Sequence, residues 1–150
     1  MEIAAASVTR SIELPVSAAE AWASLRDGDG LAGWLGDVVD LPEVEPGSTG
    51  TLVEGTSLRR LVVTEVEAGR SIGFVWWDEA APDEVSTVSI AITSTDEHTS
   101  TITVTERLAG GVVASMGSAS VSDLAATAGG AWDRRLRALV GECAPADACV

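Results

Sequence analysis

Polar and apolar residues alternate from Ser7 to Leu14: Val8, Arg10, Ile12 and Leu14 fall on one side, and Ser7, Thr9, Ser11 and Glu13 on the other. A period of two is that of a half-buried strand. Pro15 ends it. Ser17-Ala18-Ala19-Glu20 then forms a capping box, in which the serine hydroxyl accepts from an orphan amide of the first helical turn and Glu20 reaches back. The box predicts a helix of about ten residues with Ala18, Ala21, Trp22 and Leu25 on one stripe, stopped by Asp27-Gly28-Asp29-Gly30. A further short turn over Leu31 to Leu35 precedes Gly36.

From residue 38 to residue 107 the pattern is a meander of strands punctuated at Pro42, Pro46-Gly47, Gly50, Gly55, Gly69 and Pro82. The clearest strands are Leu58 to Glu67, Ser71 to Trp77, Val85 to Thr95 and Thr99 to Arg107. With no helices between them, they are expected to pair as antiparallel neighbours. In the last one, Thr99, Thr101, Thr103 and Thr105 line one face, and Ile102, Val104 and Glu106 the other. Threonines suit a solvated pleat, so Glu106 is predicted to point into the core. With Glu65 and Glu67 assigned to water, regular alternation turns Arg60, Val62, Thr64 and Val66 inward, with Ile72, Phe74 and Trp76 as a further inward set.

Gly110 and Gly111 open a small-residue loop, and a helix is predicted from about Ser120 to Gly141, capped by Ser120 or Ser122. Its apolar positions are Leu124, Ala128, Trp132, Leu136, Leu139 and Val140. Gly129-Gly130 inside it predicts a kink or a close backbone approach. The reading is one domain over 1–150, ordered from about residue 7 to 141, with a flexible tail over 142–150.

Composition narrows the chemistry. A chain of 150 residues buries roughly 70% of its unfolded surface, enough for one unstapled core. Cys143 and Cys149 both fall in the tail and read as reduced thiols. The first residues lack a basic stretch and a long apolar run, and no window approaches the ~20 apolar residues of a membrane span, so a cytoplasmic protein is expected. A net charge of −14 opposes contact with nucleic acid and anionic membranes. All basic residues are arginines, which removes Schiff-base and P-loop lysine chemistry. The single histidine, His98, sits in the polar run Thr95-Asp96-Glu97-His98-Thr99, read as a hairpin turn rather than part of a catalytic triad. Neither a metal site nor a cofactor is predicted.

Three stretches carry a family resemblance. Ile12-Glu13-Leu14-Pro15-Val16-Ser17-Ala18-Ala19-Glu20-Ala21-Trp22 is similar to the strand, proline and "VW" helix opening of the START-like (SRPBCC) superfamily. Leu31-Ala32-Gly33-Trp34-Leu35-Gly36 resembles its "W-x-G" turn, and Val63 to Trp76 resembles its "V-x-E-V-x-P-x-R-L-x-F-x-W" strand pair. Within the superfamily the order of motifs looks like the AHSA-type branch, although Ala68-Gly69 replaces the usual proline-containing turn. The resemblance implies an α+β helix-grip fold, a curved antiparallel sheet wrapped around a long C-terminal helix with an internal cavity.

That cavity holds an apolar molecule in many relatives. Candidate ligand contacts here are Trp34, Arg60, Phe74, Trp76, Glu106, Trp132 and Leu136. Trp22, Phe74 and Trp132 read as plain core rather than as ligand contacts, while Trp34 and Trp76, near the cavity mouth in such folds, read equally as either. Arg60 and Glu106, both turned inward by alternation, form either a structural ion pair or a polar site that orients a ligand. In an enzyme they are the catalytic candidates, Glu106 as general acid or base. Asp78, Glu79 and the run Arg134-Arg135-Arg137 read as solvated charges. The expected function is binding of a small apolar or aromatic molecule, lipid- or polyketide-like, by a monomer or homodimer. The alternatives are a polyketide aromatase/cyclase-like enzyme and a chaperone-modulating or other protein-interaction domain.

Overall fold

The computed structural model describes residues 7–82, 85–108 and 121–143, with side-chain surroundings in the last helix described from residue 130 to 141. Seven strands form one antiparallel sheet: β1 (Ser7–Leu14), β2 (Val38–Asp40), β3 (Thr49–Glu54), β4 (Ser57–Glu67), β5 (Ser71–Asp78), β6 (Ser86–Ser94) and β7 (Ser100–Leu108). Their spatial order is β1-β7-β6-β5-β4-β3-β2, so β2 to β7 run as a meander and β1 closes against the last strand. Two short helices, α1 (Ala18–Trp22) and α2 (Gly28–Leu31), link β1 to β2, and a long helix α3 (Val121–Cys143) ends the described chain.

The capping box forms as the sequence predicts. Ser17 Oγ accepts from the Glu20 amide at 3.1 Å, and Glu20 Oε1 accepts from the Ser17 amide at 3.0 Å. The helix it starts is half the expected length. After Trp22 the amides of Ser24 and Leu25 bond back three residues, to Ala21 and Trp22, which tightens and ends the coil. Asp27, expected to stop α1, instead caps α2 by accepting from the Gly30 amide at 2.7 Å. The short turn therefore begins three residues before Leu31. In the following turn, a Cβ on Gly36 would lie 2.6 Å from Leu52 Cγ, so only glycine lets this segment close on the sheet.

The α3 helix lies on one face of the sheet. Near its middle, Asp133 pairs with Arg10 of β1 at 3.1 Å, and Arg135 pairs with Glu54 of β3 at 2.7 Å. In a flat sheet β1 and β3 would be about 24 Å apart, since five strand spacings separate them. Positions two residues apart on one helix reach both because the sheet curls about it. Between them lie buried apolar residues, with Leu14, Leu61, Phe74, Trp76, Ile90, Ile102, Trp132, Leu136 and Leu139 all at 2% exposure or less. The helix runs unbroken through Gly129-Gly130, and a Cβ at Gly130 would meet nothing within 4 Å, so the expected close approach is absent at that residue. Leu124, Ala128, the capping serines, Gly110-Gly111 and Cys149 lie outside the described residues or side chains.

The faces of β7 follow the sequence: Ile102, Val104 and Glu106 are buried between more exposed threonines. Those of β4 do not. Val63 pairs with Phe74 and Glu65 with Gly73, so Thr64 is an extra residue that no partner on β5 opposes. This bulge leaves Thr64 and Glu65 both exposed, and alternation resumes out of phase at Val66. Counting back from Glu65 without it inverts the start of the strand. Leu61 and Val63 are the buried residues, Arg59 shares their face, and Arg60 and Val62 look the other way.

Candidate functional site

Cross-strand register brings the site together. Val88 on β6 pairs with both Phe74 on β5 and Glu106 on β7, and Leu61 on β4 pairs with Trp76. Phe74 and Trp76, two residues apart, share the helix-facing side, and their rings meet edge to face at 5.3 Å. From α3, Trp132 stacks on Trp76 at 5.8 Å with the planes 21° apart. Both indoles are 0% exposed, so each N–H requires an acceptor.

Glu106 supplies both acceptors. Its Oε2 accepts from Trp76 Nε1 at 2.9 Å and its Oε1 from Trp132 Nε1 at 2.8 Å. The carboxylate is 5% exposed, and each of its oxygens is engaged. One side chain thus joins β5, β7 and α3.

A charged layer lies next to the indoles. Arg135 Nε and Nη2 donate to the two oxygens of Glu54 at 3.0 and 2.7 Å, a bidentate pair. The guanidinium carbon of Arg135 stands 4.6 Å from the Trp132 ring centroid and 5.0 Å from that of Trp76, and Arg59 stands 4.5 Å from Trp76. Arg59 Nε is buried without a hydrogen-bond partner among the described residues. Burial pulls the Arg59 guanidinium below its ordinary value; Arg135 adds to this, and Glu106, Glu54 and Asp78 oppose it.

The predicted site residues separate into groups. Phe74, Trp76, Glu106, Trp132 and Leu136 are buried on the helix-facing side. Trp34 and Trp76 are both buried rather than placed at a mouth, and the Trp34 indole N–H is shared between the carbonyls of Ser24 and Gly30, both at 3.1 Å. Trp34 ties the α1–α2 segment and makes neither of the ring pairs found among the described residues. Arg60 faces outward, pairs with Glu79 at 2.6 Å and borders an open hollow of about 480 Å³ with Thr51, Val62 and Trp77. It does not meet Glu106, because the bulge at Thr64 reverses its orientation.

Arg135, expected in solvent, is 4% exposed, whereas Arg134 and Arg137 are exposed. The signal was present: Arg135 follows Trp132 by three residues and so shares its stripe. His98 lies in the β6–β7 turn, where Asp96 Oδ1 accepts from the His98 and Thr99 amides at 2.7 and 2.9 Å.

The sequence pattern of the family described as polyketide cyclase / dehydrase and lipid transport matches residues 5–144. The chain belongs to this family. It is thereby a member of the START-like (SRPBCC) superfamily, and the curled sheet around α3 is the helix-grip fold. Solved structures agree on the architecture. DynU16, a protein from the dynemicin biosynthetic locus, superposes with a TM-score of 0.72 at 20% identity over 90% of this chain, which spans only 46% of that protein's length. CalU16 from Micromonospora echinospora gives 0.67 at 15% identity, covering 90% of this chain and 74% of that one. The Aha1 dimer from Colwellia psychrerythraea gives 0.67 at 16% identity, covering 91% and 95%. No curated protein matches the sequence. Among the described residues no helix is long and apolar enough to cross a membrane.

Proposed function

We propose that this chain binds a small apolar or aromatic molecule, lipid- or polyketide-like, between the sheet and α3. The observation that carries this reading is the layer built around Trp76: two stacked indoles and a phenyl ring bordered by inward-facing charged groups, in a chain of the polyketide cyclase/dehydrase and lipid transport family. Glu106 and Arg135 each have partners in the protein, whereas Arg59 loses hydration beside Trp76 and its buried Nε has no hydrogen-bond partner among the described residues, which a core serving stability alone does not need. Rigid aromatic walls with a few fixed polar groups are the composition of small-molecule sites. The origin of DynU16 in a biosynthetic locus fits a small-molecule ligand.

The geometry favours binding over catalysis. Each Glu106 oxygen accepts an indole N–H and the side chain is 5% exposed, so its contacts are those of a structural acceptor for the two rings. Arg60, the other catalytic candidate, is on the opposite face in an exposed ion pair. Native mass spectrometry and thermal-shift screening against fatty acids, sterols and polycyclic aromatic compounds test the proposal. Stoichiometric retention of one class with a raised Tm is expected. No retention and no shift across the panel would overturn it.

A further inference from the structure

We infer that the ligand is an apolar monocarboxylic acid whose carboxylate is received by Arg59, with its apolar body directed toward Trp76 and Phe74. This rests on the binding proposal above and adds the chemistry of the ligand's polar end.

Two arginines stand against the Trp76 ring, and they differ in one respect. Arg135 uses its Nε and Nη2 edge to hold both oxygens of Glu54. The corresponding Nε of Arg59 is also buried and has no acceptor among the described residues. A buried N–H without a partner is unfavourable until an acceptor arrives, and a guanidinium edge fits the two oxygens of a carboxylate. The Arg135–Glu54 pair shows that arrangement beside the same Trp76 ring. Among the described residues no carboxylate takes the role at Arg59: Glu106 is held by the two indoles, Glu54 by Arg135, and Asp78, the cross-strand neighbour, accepts from the Ala80 amide.

Position sets the ligand's direction. Arg59 is two residues from the start of β4 and half-buried, whereas Trp76 and Phe74 are fully enclosed. An acid bound here keeps its charged end toward water and inserts its apolar end, the orientation that costs least in desolvation. Against a protein of charge −14, long-range attraction cannot supply a preference for acids, so the preference must come from local contact.

Chain-matched pairs test this by titration calorimetry: decanoic acid against decanamide, and 2-naphthoic acid against 2-naphthamide. For the full chain, at least one acid is expected to bind tenfold or more tightly than its amide. Arg59→Gln is expected to collapse that ratio to near one, and Arg59→Lys to leave an intermediate ratio, with circular dichroism confirming that each variant is folded. Equal affinity for acid and amide in the unmodified protein would overturn the carboxylate assignment while leaving apolar binding intact. An undiminished ratio in folded Arg59→Gln would overturn the role of Arg59. Absence of binding by all four compounds would overturn this inference, and the screening panel above separately decides whether the binding proposal falls with it.

Discussion

Glu106 on β7 accepts a 2.8 Å hydrogen bond from the indole N–H of Trp132 on α3, and this contact fastens the long helix to the sheet one strand in from its β1 edge. The other Glu106 oxygen holds Trp76 in the same way, so the two stacked rings share one carboxylate. Glu106→Gln keeps one acceptor and turns an amide N–H₂ toward one of the indole donors. One buried donor left unpaired costs about 1–3 kcal/mol, and that loss is expected in urea unfolding with an unchanged m-value. Glu106→Leu orphans both indoles and should cost more. A loss below about 0.5 kcal/mol in the Gln variant would show that the indoles find other partners.

Arg59 and Arg60 are adjacent, yet the sheet sends them to opposite faces. Arg60 and Glu79 are each about half exposed, so their pair contributes little, and Arg60→Ala should change stability by less than about 1 kcal/mol. Ligand affinity should not change, because the residue lies across the sheet from the indoles. Equilibrium unfolding and ligand titration of this one variant check both statements.

Arg135 and Glu54 anchor α3 to β3 through two parallel hydrogen bonds, with exposures of 4% and 28%. Arg135→Lys keeps the charge and loses the fork, so it should be destabilising despite its conservative look. Arg135→Met and Glu54→Gln, alone and together, form a double-mutant cycle whose coupling energy is expected at about 1–3 kcal/mol. Coupling near zero would mean that the pair does not hold the helix down.

Much of this arrangement was legible in the residue pattern, and its failures have local causes. The alternation in β7 placed Glu106 inward correctly because that strand is regular. In β4 the same argument failed at one residue. Thr64 is inserted opposite β5, and β4 itself carries no glycine or proline there; the glycine at the break, Gly73, lies on the facing strand. The error passed directly to Arg60 and hid Arg59. Arg135 was overlooked for a different reason: flanked by Arg134 and Arg137, it reads as part of a solvated run, although helical spacing puts it beside Trp132. Trp34 was expected near a cavity mouth but is buried, because its partners are carbonyls of Ser24 and Gly30, whose positions depend on a loop the sequence does not determine.

Acid should loosen the first helix. Hydrogen bonds from the backbone and then the hydroxyl of Ser17 hold the Glu20 carboxyl below its ordinary value. A depressed folded-state pKa contributes stability that is present above the ordinary carboxylate range and is lost as pH falls through the lower folded value. Urea midpoints of the unmodified protein and Glu20→Gln are therefore expected to differ near neutrality and to converge in acid. Asp96, lowered by the His98 backbone amide and then by Thr99, adds to the same acid limb and remains in the variant. A gap between the two midpoints that stays constant with pH would contradict the assignment to Glu20.

The most direct test of apolar binding between the sheet and α3 is a ¹⁵N-correlated NMR titration that follows the five tryptophan indole N–H signals as a ligand retained in the screen is added. The account predicts that the signals of Trp76 and Trp132 move together and saturate at one equivalent, while Trp77, on the opposite face, stays in place. Saturable movement of Trp77 with Trp76 and Trp132 unmoved would contradict it.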